Sequence, residues 1–350
     1  MAKLLFLISS LVFCSYLSAW EITFAGEYVR NKRLTSSKRE GISSIAYLGG
    51  NSYFLMNDKF GILIKAEIEI DSSTGKITGL KKIGETKLLC QKDADHEGIV
   101  YDKYRKLLWV TEEKSNDIFA YDLVSCEKKD AIDIPDVYNG FFFNRSFESL
   151  TMSENGLEMW TCNESALNGQ ESKKDKRRFL GKPFNDTDDG AEASLKHGTV
   201  VRLQKFIRKD HSSKWQASEQ YAYITEAISS RFPLKWQTCG VSELLLLSDG
   251  ILLSLERKVQ TNKIGIPTVC CEIYQIDLSD ATDTSSIKSL SKANFTPVKK
   301  KLLFKKNTAL AVYEGMCLGP KLDDGSQLLI LVSDADQGAV AKILTLKIKK

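Results

Sequence analysis

The sequence predicts an all-β protein built as a β-propeller, and three observations predict it. Short apolar segments alternate with polar residues at a period of two, and Gly, Asp, Asn and Ser fill the gaps between them. The same group of strands recurs along the chain, which is the signature of a repeat architecture. Small antiparallel sheets repeated within one domain are typical of a propeller.

The first 19 residues form a segment of a different kind. Lys3 precedes an apolar run over residues 4–17, and Ser18 and Ala19 follow it. An early positive charge, a short apolar core and a small residue at the end are typical of a secretory signal peptide. We therefore expect removal of residues 1–19, a single domain over residues 20–350, and a secreted or periplasmic protein.

Composition and charge exclude two classes of partner. The formal net charge is only +4, and the basic residues are scattered along the chain. Nucleic-acid binding usually requires a concentrated basic face, so we predict no nucleic-acid partner. No segment after residue 19 is long and apolar enough for an integral membrane segment, so we predict none.

Each repeat begins with a glutamate, usually followed by glycine and then by an apolar residue that opens a strand. The five glutamates are Glu40, Glu97, Glu148, Glu243 and Glu314. A second apolar strand follows each of them and ends in an acid or an amide, and a third strand with alternating apolar residues comes next. Turn pairs such as Asn155-Gly156 favour hairpins between the first and second strands. Five repeats predict five blades.

The gap between Glu148 and Glu243 is the longest and leaves room for a sixth blade. It also contains a polar stretch near residues 165–198, which we interpret as an inserted loop, so we prefer five blades. Residues 21–29 alternate like a strand but belong to no repeat. We expect this N-terminal strand to close the ring as the outer strand of the last blade.

The innermost strand of every propeller blade lines the central channel, so the five repeat glutamates are expected to meet there. Carboxylates crowded in a partly desolvated channel repel one another, and a divalent cation, an arginine or raised pKa values would relieve the repulsion. Ligands that are all oxygen suit calcium or magnesium, and we predict calcium first. The alternative is that each glutamate accepts backbone N–H bonds from a neighbouring blade as a structural latch.

Four further side chains are candidates for the same channel. His96 is adjacent to Glu97, and an imidazole that titrates near neutral pH can act as an acid or base. Asn144 and Arg145 shortly precede the third repeat glutamate, and Arg257 ends the second strand of the fourth repeat. An arginine there would pair with the glutamates or bind a phosphate or carboxylate ligand through its planar fork.

Several short stretches, in this order, resemble the family described as esterase-like activity of phytase. They are Asp93-Ala94-Asp95-His96-Glu97-Gly98-Ile99, Leu108-Trp109-Val110-Thr111-Glu112-Glu113, Asn144-Arg145-Ser146-Phe147-Glu148-Ser149-Leu150, Leu253-Ser254-Leu255-Glu256-Arg257 and Glu314-Gly315-Met316. Ser146 and Ser149 stand where the family pattern has glycines around the third glutamate. The resemblance covers nearly all of the chain after residue 19.

This resemblance implies a phytase-like propeller that hydrolyses a small anionic ester, either a phosphate or a carboxylic ester. A cation held by the repeat glutamates would activate water and polarise the ester. The candidate catalytic residues are Glu97, Glu148, Glu314 and His96. The candidate substrate-binding residues are Asn144, Arg145 and Arg257, and the candidate metal ligands are Glu40, Glu97, Glu148, Glu243 and Glu314.

Two other functions stay open at this point. One is a non-catalytic propeller that binds a ligand or a protein and uses its acidic ring structurally. The other is a calcium-bound lactonase-type hydrolase with the same acidic channel. A serine hydrolase of the G-x-S-x-G type is disfavoured, because the sequence lacks that motif.

Overall fold

The computed structural model describes residues 20–30, 34, 41–91, 94–140, 146–167, 193–230, 232–308, 310–334 and 342–350. These residues form five antiparallel sheets of four strands each, arranged as a five-bladed propeller. The prediction of an all-β propeller with five blades is confirmed. Two short 3-10 segments, Asp136–Gly140 and Leu290–Lys292, lie in the connections between strands.

The first three blades follow the chain in order. Blade one contains β2 Ile42–Gly49, β3 Ser52–Asn57, β4 Ile62–Ile70 and β5 Ile77–Lys87. Blade two contains β6 His96–Asp102, β7 Leu107–Glu112, β8 Asp117–Asp122 and β9 Lys128–Ala131. Blade three contains β10 Phe147–Met152, β11 Glu158–Asn163, β12 Val200–Ile207 and β13 Gln216–Ile224.

The last two blades complete and close the ring. Blade four contains β14 Leu234–Leu246, β15 Leu252–Asn262, β16 Pro267–Asp277 and β17 Lys299–Asn307. Blade five contains β18 Val312–Lys321, β19 Gln327–Asp334, β20 Lys342–Lys349 and, as its outer strand, β1 Glu21–Val29. β1 pairs antiparallel with β20, so the N-terminal strand closes the last blade as predicted.

Apolar side chains fill the spaces between neighbouring blades. Five of the apolar clusters each join two adjacent blades, for example Met56 of blade one with Val110 and Tyr121 of blade two. A middle strand is therefore covered on both faces, which is why β7 is buried along its whole length. Burial of one large apolar side chain stabilises the fold by about 1.5–3 kcal/mol, so these layers hold the ring together.

The first strands of the blades lie innermost and contact one another around the axis, in the order β2, β6, β10, β14, β18 and back to β2. The predicted inserted loop lies between β11 and β12, and most of it, residues 168–192, is outside the described residues, as is the predicted signal peptide. No helix in the described ranges is long and apolar enough to cross a membrane.

Candidate functional site

Each innermost strand has a β-bulge at the same level of the ring, near the beginning of four strands and in the middle of β14. The register shifts fall between Ile42 and Ser44, His96 and Ile99, Phe147 and Ser149, Val241 and Glu243, and Tyr313 and Gly315. A bulge adds one unpaired residue and re-aims its side chain. The residues at the bulge are Ser43, Glu97, Glu148, Ser242 and Glu314, so three of the five are glutamates.

The second strand of each blade returns to this same level, because it runs antiparallel to the first. The five residues that arrive there are Asp58, Glu113, Glu164, Arg257 and Asp334. The Glu113 N–H donates to the Asp95 carbonyl at 2.8 Å, and the Glu164 N–H donates to the Ser146 carbonyl at 2.9 Å. Arg257 pairs with Gly240 in the same way. Four acids and one arginine thus face the axis beside the bulge glutamates.

These two sets of residues line one cavity of about 220 Å³ at the axis. Its lining residues are Gly41, Asp58, Lys59, Glu97, Glu113, Glu148, Glu164, Arg257, Glu314 and Asp334. Carboxyl groups greatly outnumber the two basic side chains. The cavity therefore carries an excess of acidic groups, and because most of them are buried, solvent screens their charges less than it would at the surface.

The crowding of buried acids raises the pKa values of several carboxyl groups in the cavity. Burial, and then the charge of Glu148, raise the pKa of Glu97, while burial and the charge of Glu164 raise that of Glu148. Burial, with the charges of Asp95 and Glu164, raises the pKa of Glu113 to about 8. The pKa of Glu314 is raised to about 7 by burial, although Arg257 partly opposes the shift.

The two basic side chains neutralise part of the cavity. Arg257 forms ion pairs with Glu164 and Glu314, and its Nε atom has no hydrogen-bond partner among the described residues. Lys59 forms an ion pair with Asp95 and lies 3.2 Å from the Asp58 carboxylate. Burial alone would lower the pKa of Lys59, but the hydrogen bond to Asp95 and the surrounding acids raise it. Both side chains therefore stay charged.

Two groups of three carboxylates are close enough to hold a cation. One consists of Asp95, Glu97 and Glu113, and the other of Glu113, Glu148 and Glu164. In each group the oxygen atoms lie within 4.8 Å of one another, and every one of these side chains is buried. Donors that are all oxygen, combined with uncompensated negative charge, fit a hard divalent cation such as calcium or magnesium. Glu113 belongs to both groups.

The structure brings Glu97, Glu148, Glu314 and Arg257 together, and the other described site residues expected from the sequence lie elsewhere. Glu243 stands one residue after the bulge, at the position of Gly98, Ser149 and Gly315 in other blades. Its carboxylate accepts hydrogen bonds from the Leu150 and Leu244 N–H groups, each at 3.1 Å, and from the Ser44 hydroxyl at 3.2 Å. Glu243 thus lies outside the cavity lining and acts as a latch between blades.

His96 also lies away from the cavity. Its ring is fully buried and meets the Tyr121 ring edge-on, with 6.1 Å between the centroids. Neither ring nitrogen has a hydrogen-bond partner in the described part of the chain. Burial lowers the pKa of His96 to about 4, so the imidazole is neutral at neutral pH. Glu40, Asn144 and Arg145 are outside the described residues.

Some cavity residues that were not among the predicted site residues do follow the repeat pattern of the sequence. The second strand of each repeat ends in an acid or amide, and four of these ends are Asp58, Glu113, Glu164 and Asp334 of the cavity. When the repeats are aligned on their Glu-Gly pairs, nothing in the alignment indicates that these strand ends line the channel. Lys59 and Asp95 carry no repeat signal.

Comparison with protein families gives one match that covers most of the chain. The sequence profile of the family described as phytase-like, esterase-like activity of phytase, matches residues 38–337. Among curated proteins, none matches this chain.

The solved structures that match this chain include three enzymes. Hydrazine synthase from Kuenenia stuttgartiensis is 10% identical with a TM-score of 0.35, and the match covers 87% of this chain but only 59% of that one. Glutaminyl cyclase from Myxococcus xanthus is 8% identical with a TM-score of 0.36, covering 94% and 97%. The periplasmic gluconolactonase from Pseudomonas aeruginosa is 11% identical with a TM-score of 0.34, covering 87% and 85%. At these values the likenesses carry no argument about function.

Proposed function

The chain belongs to the phytase-like family, described as esterase-like activity of phytase, and from this premise we propose that it hydrolyses a small phosphate or carboxylic ester with a divalent cation. The observation that supports the proposal most strongly is the convergence of seven acidic side chains of the lining on one cavity of about 220 Å³. Such a cavity has the size and the charge to take a cation together with a small anion. Calcium is the first candidate for the cation.

The cation would be held by Glu113 together with its neighbours in one of the two carboxylate groups. When bound, a divalent cation lowers the pKa of water and polarises the ester oxygen. The second group, with Glu148 and Glu164, is the better candidate, because all three of its acids line the cavity, whereas Asp95 of the first group does not. The choice between the groups can be tested by substituting one acid of each.

Two residues of the cavity would act directly on the substrate. Arg257 has a planar guanidinium suited to a phosphate or carboxylate, and it lies at the same level as the acids. Three acids of the lining belong to neither carboxylate group: Asp58, Glu314 and Asp334. Of these, Glu314 contacts Arg257, so it is the carboxyl group that would take a proton from the attacking water beside the bound anion. Hydrolysis then uses Arg257 for binding and Glu314 for proton transfer.

The test is turnover of para-nitrophenyl phosphate and para-nitrophenyl acetate, with a lactone as a third substrate. We expect hydrolysis of at least one of them in calcium, magnesium, manganese or zinc, and its loss in excess EDTA. Glu148→Gln should lower kcat/KM by about 100-fold, because it removes a carboxylate from the cation site. Glu67→Gln, the same change at an exposed position of β4, is the matched control and should have no effect.

Two results would contradict this function. One is the absence of turnover on all three substrates with every cation, and the other is turnover that persists in EDTA. Turnover confined to the lactone would favour the lactonase-type alternative over phosphate or carboxylic ester hydrolysis.

A non-catalytic binding propeller is the second candidate, and one observation favours it. Arg257 and Lys59 already form ion pairs with four acids, Glu164, Glu314, Asp58 and Asp95. An acidic ring that is partly neutralised by the basic side chains of the protein can stabilise the fold without binding a substrate. In that case calcium would raise the melting temperature of the protein, while no ester would be hydrolysed.

A further inference from the structure

Among the described strands, β14 and β15 of blade four extend farthest past the level of the acidic cavity. β14 and β15 pair along their whole length, from Leu234 opposite Asn262 to Leu246 opposite Leu252. Arg257, at the cavity, lies halfway along this ladder, whereas the second strands of the other described blades end near the cavity level. At about 3.3 Å per residue, the continuation of β15 extends roughly 16 Å past Arg257.

We call this projection the arm. It consists of residues 234–239 of β14, 258–262 of β15 and 267–270 of β16, together with residues 232–233 and the connection 263–266. At its far end the segment before β14 meets the connection after β15, because the Lys263 N–H donates to the Pro233 carbonyl at 3.0 Å. The arm therefore has a single tip.

The tip exposes large apolar side chains. Phe232 is 67% exposed, Ile264 is 80% exposed and Ile266 is 56% exposed. Single exposed apolar residues are common, but three at one projecting tip mark an interaction surface. Phe232 and Ile266 also line one groove of about 400 Å³ behind the tip.

The charged side chains of the arm itself are all basic. Residues 228–238 and 257–271 contain no aspartate or glutamate. Lys235 and Lys263 are exposed beside the apolar residues. Behind them Lys258 and Lys305 share a single acid, Glu272, so the base of the arm also keeps a positive excess. The apolar and basic side chains of the arm are therefore complementary to a partner that has an apolar layer beneath a negatively charged surface.

We propose that the tip of the arm binds the surface of a bilayer that contains anionic lipids. Phe232, Ile264 and Ile266 enter the interface, while Lys235 and Lys263 contact the lipid phosphates. A second copy of the chain is a poorer occupant, because it would bring the same lysines together. Since the arm and the cavity lie on one side of the ring, binding would turn the cavity toward the membrane.

The test is co-sedimentation of the purified protein with vesicles of phosphatidylcholine, with and without phosphatidylglycerol. We expect stronger binding to the vesicles with phosphatidylglycerol and weaker binding as salt is added. The double variant Ile264→Ser and Ile266→Ser should weaken binding by about ten-fold or more, since it removes apolar area from the interface. Val124→Ser, at a residue 94% exposed on blade two, is the matched control and should bind like the wild type.

A second double variant tests the charges. Lys235→Gln with Lys263→Gln should weaken binding to the anionic vesicles by roughly ten-fold and leave binding to phosphatidylcholine unchanged. The proposal is overturned if the wild type does not sediment with anionic vesicles, or if Val124→Ser weakens binding as much as the arm variants. It is also overturned if the isoleucine variants convert a dimer to a monomer in light scattering and leave vesicle binding intact, because the tip would then bind a second copy.

Discussion

The carboxyl group of Glu243 joins three blades at the axis. It accepts hydrogen bonds from the Leu150 N–H of blade three, the Leu244 N–H of blade four and the Ser44 hydroxyl of blade one. Burial raises its pKa, and these donors partly oppose the shift. A glutamate one residue away from the bulge therefore serves the fold, while the bulge glutamates Glu97 and Glu148 face the cavity.

Substitution of Glu243 should change the stability of the fold without changing cation binding in the cavity. We expect Glu243→Ala to lower the free energy of unfolding by about 2–4 kcal/mol, because it leaves buried N–H groups without an acceptor and creates a cavity. Urea denaturation measures this loss. Calcium affinity of the folded protein should stay as in the wild type, and a variant that folds normally but no longer binds calcium would show that Glu243 is a ligand after all.

At the scale of the strand, the sequence predicts the strands themselves but not the register at the bulge. The period-two pattern, the hairpin turns and the five repeats are enough to predict the strands and the blade count. The glutamate pattern is not enough for the register, because Glu243 matches it without standing at the bulge position of Glu97. Register at a bulge depends on pairing with the next strand, which a pattern within one strand does not contain.

In blade two the residue after the bulge, Gly98, has no room for a side chain. A Cβ atom at Gly98 would lie 2.5 Å from the Leu150 nitrogen, too close for an unstrained backbone. We expect Gly98→Ala to lower the free energy of unfolding by about 2–3 kcal/mol through overpacking. Gly84→Ala is the matched control, since a Cβ there meets nothing within 4 Å. Equal stability of the two variants in urea would contradict the close packing of the inner strands.

At the scale of the whole molecule, the ring collects acids that are far apart in the sequence. Asp58 and Asp334 belong to blades one and five, yet both line the same cavity because β1 closes the ring on β20. Convergence of Glu97, Glu148 and Glu314 can be predicted from the repeats and the fold, although Glu243 of the same pattern lies outside the cavity lining. The pairing of Lys59 with Asp95 cannot, since it depends on two side chains from different blades that no repeat relates.

The collected charge makes stability depend on pH. The pKa values of Glu113 and Glu314 rise from the ordinary glutamate value of 4.5 to about 8 and about 7 in the folded protein. The folded state therefore binds these protons more tightly than the unfolded state, and stability present below pH 4.5 is lost as the pH rises toward 8. We expect the melting temperature in EDTA to fall across this range. Calcium should remove most of the fall, and a melting temperature that rises with pH in EDTA would contradict this effect of the buried acids.

The most direct test is calorimetric titration of calcium into the protein after removal of bound cations with EDTA, for the wild type and for Glu113→Gln. Glu113 belongs to both carboxylate groups, so its substitution weakens either site. We predict saturable binding to the wild type and a loss of affinity of about 100-fold or more in Glu113→Gln, with Glu67→Gln unchanged. Absence of binding to the wild type, or equal binding to Glu113→Gln, would contradict the claim that the cavity is a cation site.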